Sequence, residues 1–158
     1  MAAMQSSDKG VLVCEDDAAM MRIFQFLLRQ VGIEPVWAVS RGKDVFGAVQ
    51  REKPALVLLD LMLPDRDGLS VLKELKGHEA TRSIPVIVVS GKEAQEQVRS
   101  ALQAGAADYI IKPFDPMELG ARLRQLLDSG KAFTPKDFAP VETNEGGAPP
   151  ETVTGGNF

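Results

Sequence analysis

Apolar positions along the chain fall into two alternating patterns. Short runs rich in β-branched residues recur at Val11–Cys14, Val36–Val39, 56–59, 84–89 and 109–111. Runs of this length and makeup predict five buried strands. Between them apolar residues recur at three- and four-residue spacing: Ile23, Phe24, Leu27 and Leu28, then Val45, Ala48 and Val49, then Leu69, Leu72 and Leu75. That period gathers each set on one face of a helix. A fourth helix is expected over 93–103, and a fifth carries Leu119, Leu123, Leu126 and Leu127 on one face. Strand then helix, repeated five times, predicts an α/β fold, a doubly wound five-stranded parallel sheet with helices on both faces. The reason is that strands this continuously apolar must be covered on both sides. In such sheets ligands bind beyond the carboxyl ends of the strands, so chemistry is to be sought there.

Composition refines this picture at the ends of the chain. With 158 residues, 44% of them apolar and 25% charged, there is material for one core but hardly two. From residue 130 onward Thr, Pro, Gly, Asn and Glu dominate, and Phe133, Phe138 and Phe158 are the bulky apolar residues. The expected organisation is an N-terminal extension over 1–8, one domain over 9–129 and a disordered tail over 130–158. A docked element over 132–141 is the alternative for the tail, and no second effector domain is expected.

Charge and cysteine content narrow the partners. A formal net charge of -4 disfavours a dedicated nucleic-acid binder, whose affinity for phosphate backbones needs clustered Lys and Arg. Protein partners are expected instead. Cys14 is the one cysteine, which leaves no intramolecular disulfide, and residues 1–10 lack a basic-then-apolar secretory pattern. Both point to a cytoplasmic protein. No apolar stretch approaches the roughly 20 residues that span a bilayer, so no membrane role is expected.

The candidate chemistry lies at the predicted strand ends. The first strand runs directly into Glu15, Asp16 and Asp17, and the third ends in Asp60. If these strands are neighbours, Glu15, Asp16 and Asp60 converge on one crevice. Like charges about 4 Å apart repel by roughly 4 kcal/mol at an effective dielectric near 20, so a cation is needed among them. Oxygen ligands of this hardness suit Mg2+, which keeps water or a substrate phosphate in its remaining positions. Ser90 closes the fourth strand with a hydroxyl and Lys112 follows the fifth with an ammonium. A carboxylate nucleophile, a metal, a cation and a hydroxyl donor on one rim are the parts phosphoryl transfer requires.

At this point the sequence resembles the receiver domain of response regulators of two-component signalling, over 9–129, of the stand-alone kind and with the flavodoxin-like receiver fold. Glu15 and Asp16 match the family's acidic pair, and Asp60, in Leu59-Asp60-Leu61-Met62-Leu63-Pro64-Asp65-Arg66-Asp67-Gly68, matches its phosphoacceptor. The resemblance implies that the Met62 carbonyl is a backbone ligand of Mg2+, that Ser90 and Tyr109 are the switch pair, and that Lys112 contacts the phosphoryl group. It further implies a cis peptide bond after Lys112, in Lys112-Pro113-Phe114. The implied function is to accept a phosphoryl group on Asp60 from a histidine kinase or phosphotransfer protein. The output is phosphorylation-dependent binding of an unknown protein, by a monomer or a phosphorylation-dependent dimer. The chain then catalyses only its own phosphorylation and dephosphorylation. Met62 and Lys92 occupy the family's lifetime-tuning positions, and apolar Met62 implies slow self-dephosphorylation.

Other readings fit less well. A haloacid-dehalogenase-like hydrolase places a second Asp two residues after the nucleophile, where this chain has Met62, and uses the first strand. A flavin-binding module needs a phosphate cradle after the first strand, where Glu15, Asp16 and Asp17 would repel the ligand. A transcription factor would need a helix-turn-helix that the residues after Gly130 do not offer. The alternative that survives is a pseudo-receiver scaffold that binds partners without phosphorylation. Among single residues, Asp17 reads as a helix N-cap or an indirect contributor to the site, His78 as solvated, and Cys14 as core. Trp37, Met20 and Met21 read as core or surface filling.

Overall fold

A computed structural model of the chain describes residues 10–91 and 95–129. Five strands, β1 (Val11–Cys14), β2 (Val36–Val39), β3 (Leu56–Asp60), β4 (Val86–Ser90) and β5 (Asp108–Ile111), form one sheet in the order β2-β1-β3-β4-β5. Every pairing is parallel. The helices are α1 (Ala18–Gln30), α2 (Val45–Glu52), α3 (Gly68–Gly77), α4 (Gln95–Gln103) and α5 (Pro116–Ser129). A 3-10 turn, Gly42–Asp44, leads into α2. The predicted extension over 1–8, the tail over 130–158, Lys92 and the first residues expected of the fourth helix lie outside the described residues.

Alternation along the strands divides the core in two. Val11 and Val13 of β1 join Leu56 and Leu58 of β3 against Phe24, Leu27, Leu28, Leu119 and Leu123, the buried faces of α1 and α5. Leu12 and Cys14 join Val57 and Leu59 against Val45, Val49, Val71, Leu72, Leu75 and Ala101 from α2, α3 and α4. A period of two sends successive side chains to opposite faces, so these inner strands have no solvent side, whereas β2, expected to be buried, is only partly so with Ala38 exposed because it lies at the edge of the sheet. β1, β3 and β4 are buried at every residue, as a central parallel strand demands.

The structure departs from the periodicity in details with local causes. β4 starts at Val86 rather than residue 84 because Pro85 precedes it and has no N–H to give the ladder. β5 takes in Asp108, whose backbone pairs with Ile87. Ile23 is 42% exposed, so it sits outside the core-facing set in which the helical spacing placed it. Asp17 caps α1, its carboxylate accepting the Ala19 N–H, and Asp67 caps α3 in the same way through Leu69. Trp37 packs partly buried on the α2–α3 side, Met20 and Met21 on the α1–α5 side, Cys14 is buried and His78 is exposed.

Candidate functional site

Strand order decides what meets at the carboxyl edge. β1 and β3 are neighbours, with Cys14 opposite Leu59, so the residues that follow them, Glu15 and Asp60, lie side by side. This is the switch point of the doubly wound sheet, where β1 connects outward to β2 and β3 outward to β4. One carboxylate oxygen from each of Glu15, Asp16 and Asp60 lies within 4.8 Å of the other two. Glu15 and Asp60 are buried, at 2% and 4% exposure, whereas Asp16 is open to solvent. Strand ends supply this geometry because the backbone amides beyond them are no longer spent on the ladder. The Asp17 N–H donates to Glu15 Oε2 at 3.1 Å, and the Met62 N–H to Asp60 Oδ1 at 2.8 Å.

Lys112 reaches this pair from the end of β5, two strands away from β3. Its Nζ lies 3.1 Å from Glu15 Oε1 and 3.2 Å from Asp60 Oδ2. Burial opposes a charge on Lys112, yet Asp60 and Glu15 outweigh it and hold the ammonium above its ordinary pKa. Glu15 moves the other way. Burial and the neighbouring Asp60 push its carboxyl up to about 7 even though Lys112 pulls it down. Among the described residues, the one ammonium of Lys112 faces the three carboxylates of Glu15, Asp16 and Asp60 and does not neutralise them. A small hard cation bound to the same oxygens would complete the neutralisation, and the donor set, carboxylates with no sulfur or imidazole, fits Mg2+.

Of the remaining predicted residues, Ser90 and Met62 lie at the same edge, and Tyr109 lies two residues short of the end of β5. Ser90 ends β4 fully buried, its hydroxyl donating to the Gly91 carbonyl at 2.9 Å, and its own carbonyl accepts the Lys112 N–H at 2.7 Å. The Lys112–Pro113 peptide is cis. Met62 is 52% exposed beside Asp60. Tyr109 lies in β5 opposite Val88, partly buried against the core on the α2–α3–α4 side. Burial pushes the Cys14 thiol far above its usual range, which keeps it in the inert thiol form.

Two features of this edge escaped the sequence reading. Asp65 stands in the segment around Asp60, yet it bonds to a second loop. Ile23, Phe26 and Met117, 42%, 63% and 61% exposed, form an apolar patch with Ala19, Leu27 and Pro116, along α1 and the first turn of α5. Periodicity could have found neither, since one is a long-range loop contact and the other joins Phe26 to Met117, 91 residues apart in sequence.

A five-stranded parallel sheet with an acidic crevice and a lysine at its switch point defines the class: a receiver of the flavodoxin-like type. The sequence model described as the response regulator receiver domain matches residues 11–124, and the chain belongs to that family. Receiver domains are signalling domains of two-component systems. Among curated relatives, the transcriptional regulatory protein GltR of Pseudomonas aeruginosa is 34% identical over 78% of this chain and 51% of its own length. The phosphate regulon transcriptional regulatory protein PhoB of Escherichia coli is 38% identical over 75% of this chain and 52% of its own. The chain thus spans about half the length of the curated relatives it matches. Among solved structures, the receiver domain of the Pseudomonas aeruginosa PAO1 sensor histidine kinase PA1611 carries a magnesium ion in its active-site cleft. It superposes with a TM-score of 0.67 at 30% identity, covering 76% of this chain and 98% of that one. The BeF3-activated receiver domain of Klebsiella pneumoniae RstA gives a TM-score of 0.67 at 32% identity, over 75% and 97%.

Proposed function

We propose that this chain is a phosphorylatable switch in which Asp60 accepts a phosphoryl group from a phosphohistidine on a histidine kinase or phosphotransfer protein. The observation that carries the reading is the placement of Lys112 Nζ within 3.2 Å of both Glu15 and Asp60 across the acidic crevice. Glu15, Asp16, Asp60 and the Met62 carbonyl would hold Mg2+, which when bound draws charge from the transferring oxygens. An Asp60 carboxylate oxygen attacks phosphorus, the bond from phosphorus to the donor imidazole breaks, and the electron pair leaves on the ring nitrogen. The product is an acyl phosphate. Lys112 exchanges its bond to Asp60 for one to a phosphoryl oxygen, offsetting charge as it develops. The Ser90 hydroxyl, released from the Gly91 carbonyl, donates to the new group, and Tyr109 turns inward. The surface formed by α4, β5 and α5 is then remodelled for an output protein.

Intact mass after incubation with acetyl phosphate and Mg2+ tests this, with wild type and Asp60→Asn side by side. One added phosphoryl group that requires Mg2+ and is absent from the variant is the expected result. Failure of both acetyl phosphate and a phosphorylated histidine protein to load the wild type would leave the scaffold reading in its place.

A further inference from the structure

The loop that follows Asp60 is tied to the rest of the molecule by a residue outside the crevice. Asp65 Oδ1 accepts the Gly42 N–H at 2.7 Å and Asp65 Oδ2 accepts the Lys43 N–H at 3.0 Å. Both amides open the 3-10 turn before α2, where no helical carbonyl is available to them. Desolvation raises the Asp65 carboxyl, but the Lys43 and Gly42 amides outweigh it and hold the group below the ordinary carboxylate range. The two loops also touch directly. A Cβ on Gly42 would come 2.8 Å from the Arg66 Cβ and 3.2 Å from Val71, so glycine sets their approach. Arg66 is fixed in turn by Glu74 at 2.7 Å and Ser70 at 2.9 Å on α3.

Met62 is linked to this anchor by two residues with little freedom. Leu63 is 6% exposed and packed in the core, and Pro64 has its φ fixed by its ring. On the other side the Met62 N–H is held by Asp60. The carbonyl that would complete the magnesium site is thus carried on a short, stiff segment whose far end is set by Asp65.

We propose that Asp65 is a positioning residue for the metal site: by gripping the Gly42 and Lys43 amides it fixes the loop that presents the Met62 carbonyl, and so sets the affinity for Mg2+. The inference rests on the phosphoacceptor reading. Residues that orient metal ligands in this indirect way typically account for about 10- to 100-fold in affinity.

Calorimetric titration of the full chain with Mg2+, for wild type, Asp65→Ala and Asp65→Asn, tests it, alongside acetyl phosphate labelling at increasing Mg2+. Asp65→Ala is expected to weaken Mg2+ binding by at least about tenfold. Asp65→Asn, which keeps one acceptor oxygen, should fall between it and wild type, and serves alone if the alanine variant does not fold. Labelling should recover to within about twofold of wild type at saturating Mg2+, a split that general destabilisation would not produce. Unchanged Mg2+ affinity in a folded variant, or a labelling defect that saturating Mg2+ does not repair, overturns the role of Asp65 and leaves the phosphoacceptor reading standing. Wild type that neither binds Mg2+ nor labels overturns both.

Discussion

Glu15 shows how a single residue reports on its surroundings. Its carboxyl, raised to about 7 by burial and by Asp60, holds a proton in the metal-free fold at pH values where the unfolded chain has released it. Between the ordinary value of 4.5 and about 7 the folded state therefore binds more protons, and metal-free stability falls as pH rises through that window. Mg2+ bound to the same oxygens would compete with this proton. Its dissociation constant is expected to be about tenfold weaker near pH 6 than near pH 8, and Mg2+ should raise the unfolding midpoint more at the higher pH. Thermal melts at both pH values with and without Mg2+ check this; equal stabilisation would mean that Glu15 is ionised throughout.

Met62 gives a second prediction at the same scale. It stands exposed beside Asp60, and its thioether is at best a weak acceptor for orienting a water against an acyl phosphate. Met62→Asn is expected to speed loss of the phosphoryl group severalfold, followed by intact mass after the donor is removed. A decay rate equal to wild type would locate the control of lifetime elsewhere.

At the scale of elements, the carboxyl edge depends on turns that tolerate little change. Gly68 begins α3, where alanine would ordinarily favour the helix. Here a Cβ would overlap the Leu61 backbone and lie 2.8 Å from its carbonyl oxygen, which also accepts the Gly68 N–H at 3.1 Å. Gly68→Ala is therefore expected to destabilise by about 1–3 kcal/mol, by displacing backbone next to Asp60. Urea denaturation gives the number, and a stabilised variant would show that the loop relaxes without cost. The apolar patch of Ile23, Phe26 and Met117 runs along α1 to the first turn of α5, the helices that follow the segments carrying Asp16 and Lys112, and it is an exposed surface on which a phosphodonor protein could dock. Phe26→Ser is expected to slow transfer from a phosphohistidine protein while leaving acetyl phosphate labelling unchanged, because the small donor needs no docking surface. Equal slowing with both donors would place Phe26 in folding instead.

For the whole molecule, the division between sequence and tertiary structure follows the range of the interactions. Periodicity is local, so the strands, the helices and their order along the chain were legible from residue spacing alone. So were the acidic ends of β1 and β3, since a carboxylate after an apolar run has nowhere to sit but a strand end. Ile23 was misplaced because helical spacing names a face and not its width; α5 covers only part of α1, and the width is set by how the two helices meet. What no spacing contains is the strand order β2-β1-β3-β4-β5. That order brings Glu15, Asp60 and Lys112 within bonding distance across 97 and 52 residues of chain. It also brings Asp65 to Gly42 across 23. The sequence by itself determined which residues could do chemistry and that they lie at strand ends. Only the tertiary structure decided that they share one crevice and that Lys112 bonds both Glu15 and Asp60 there, because those facts depend on the burial and approach of groups distant in the chain.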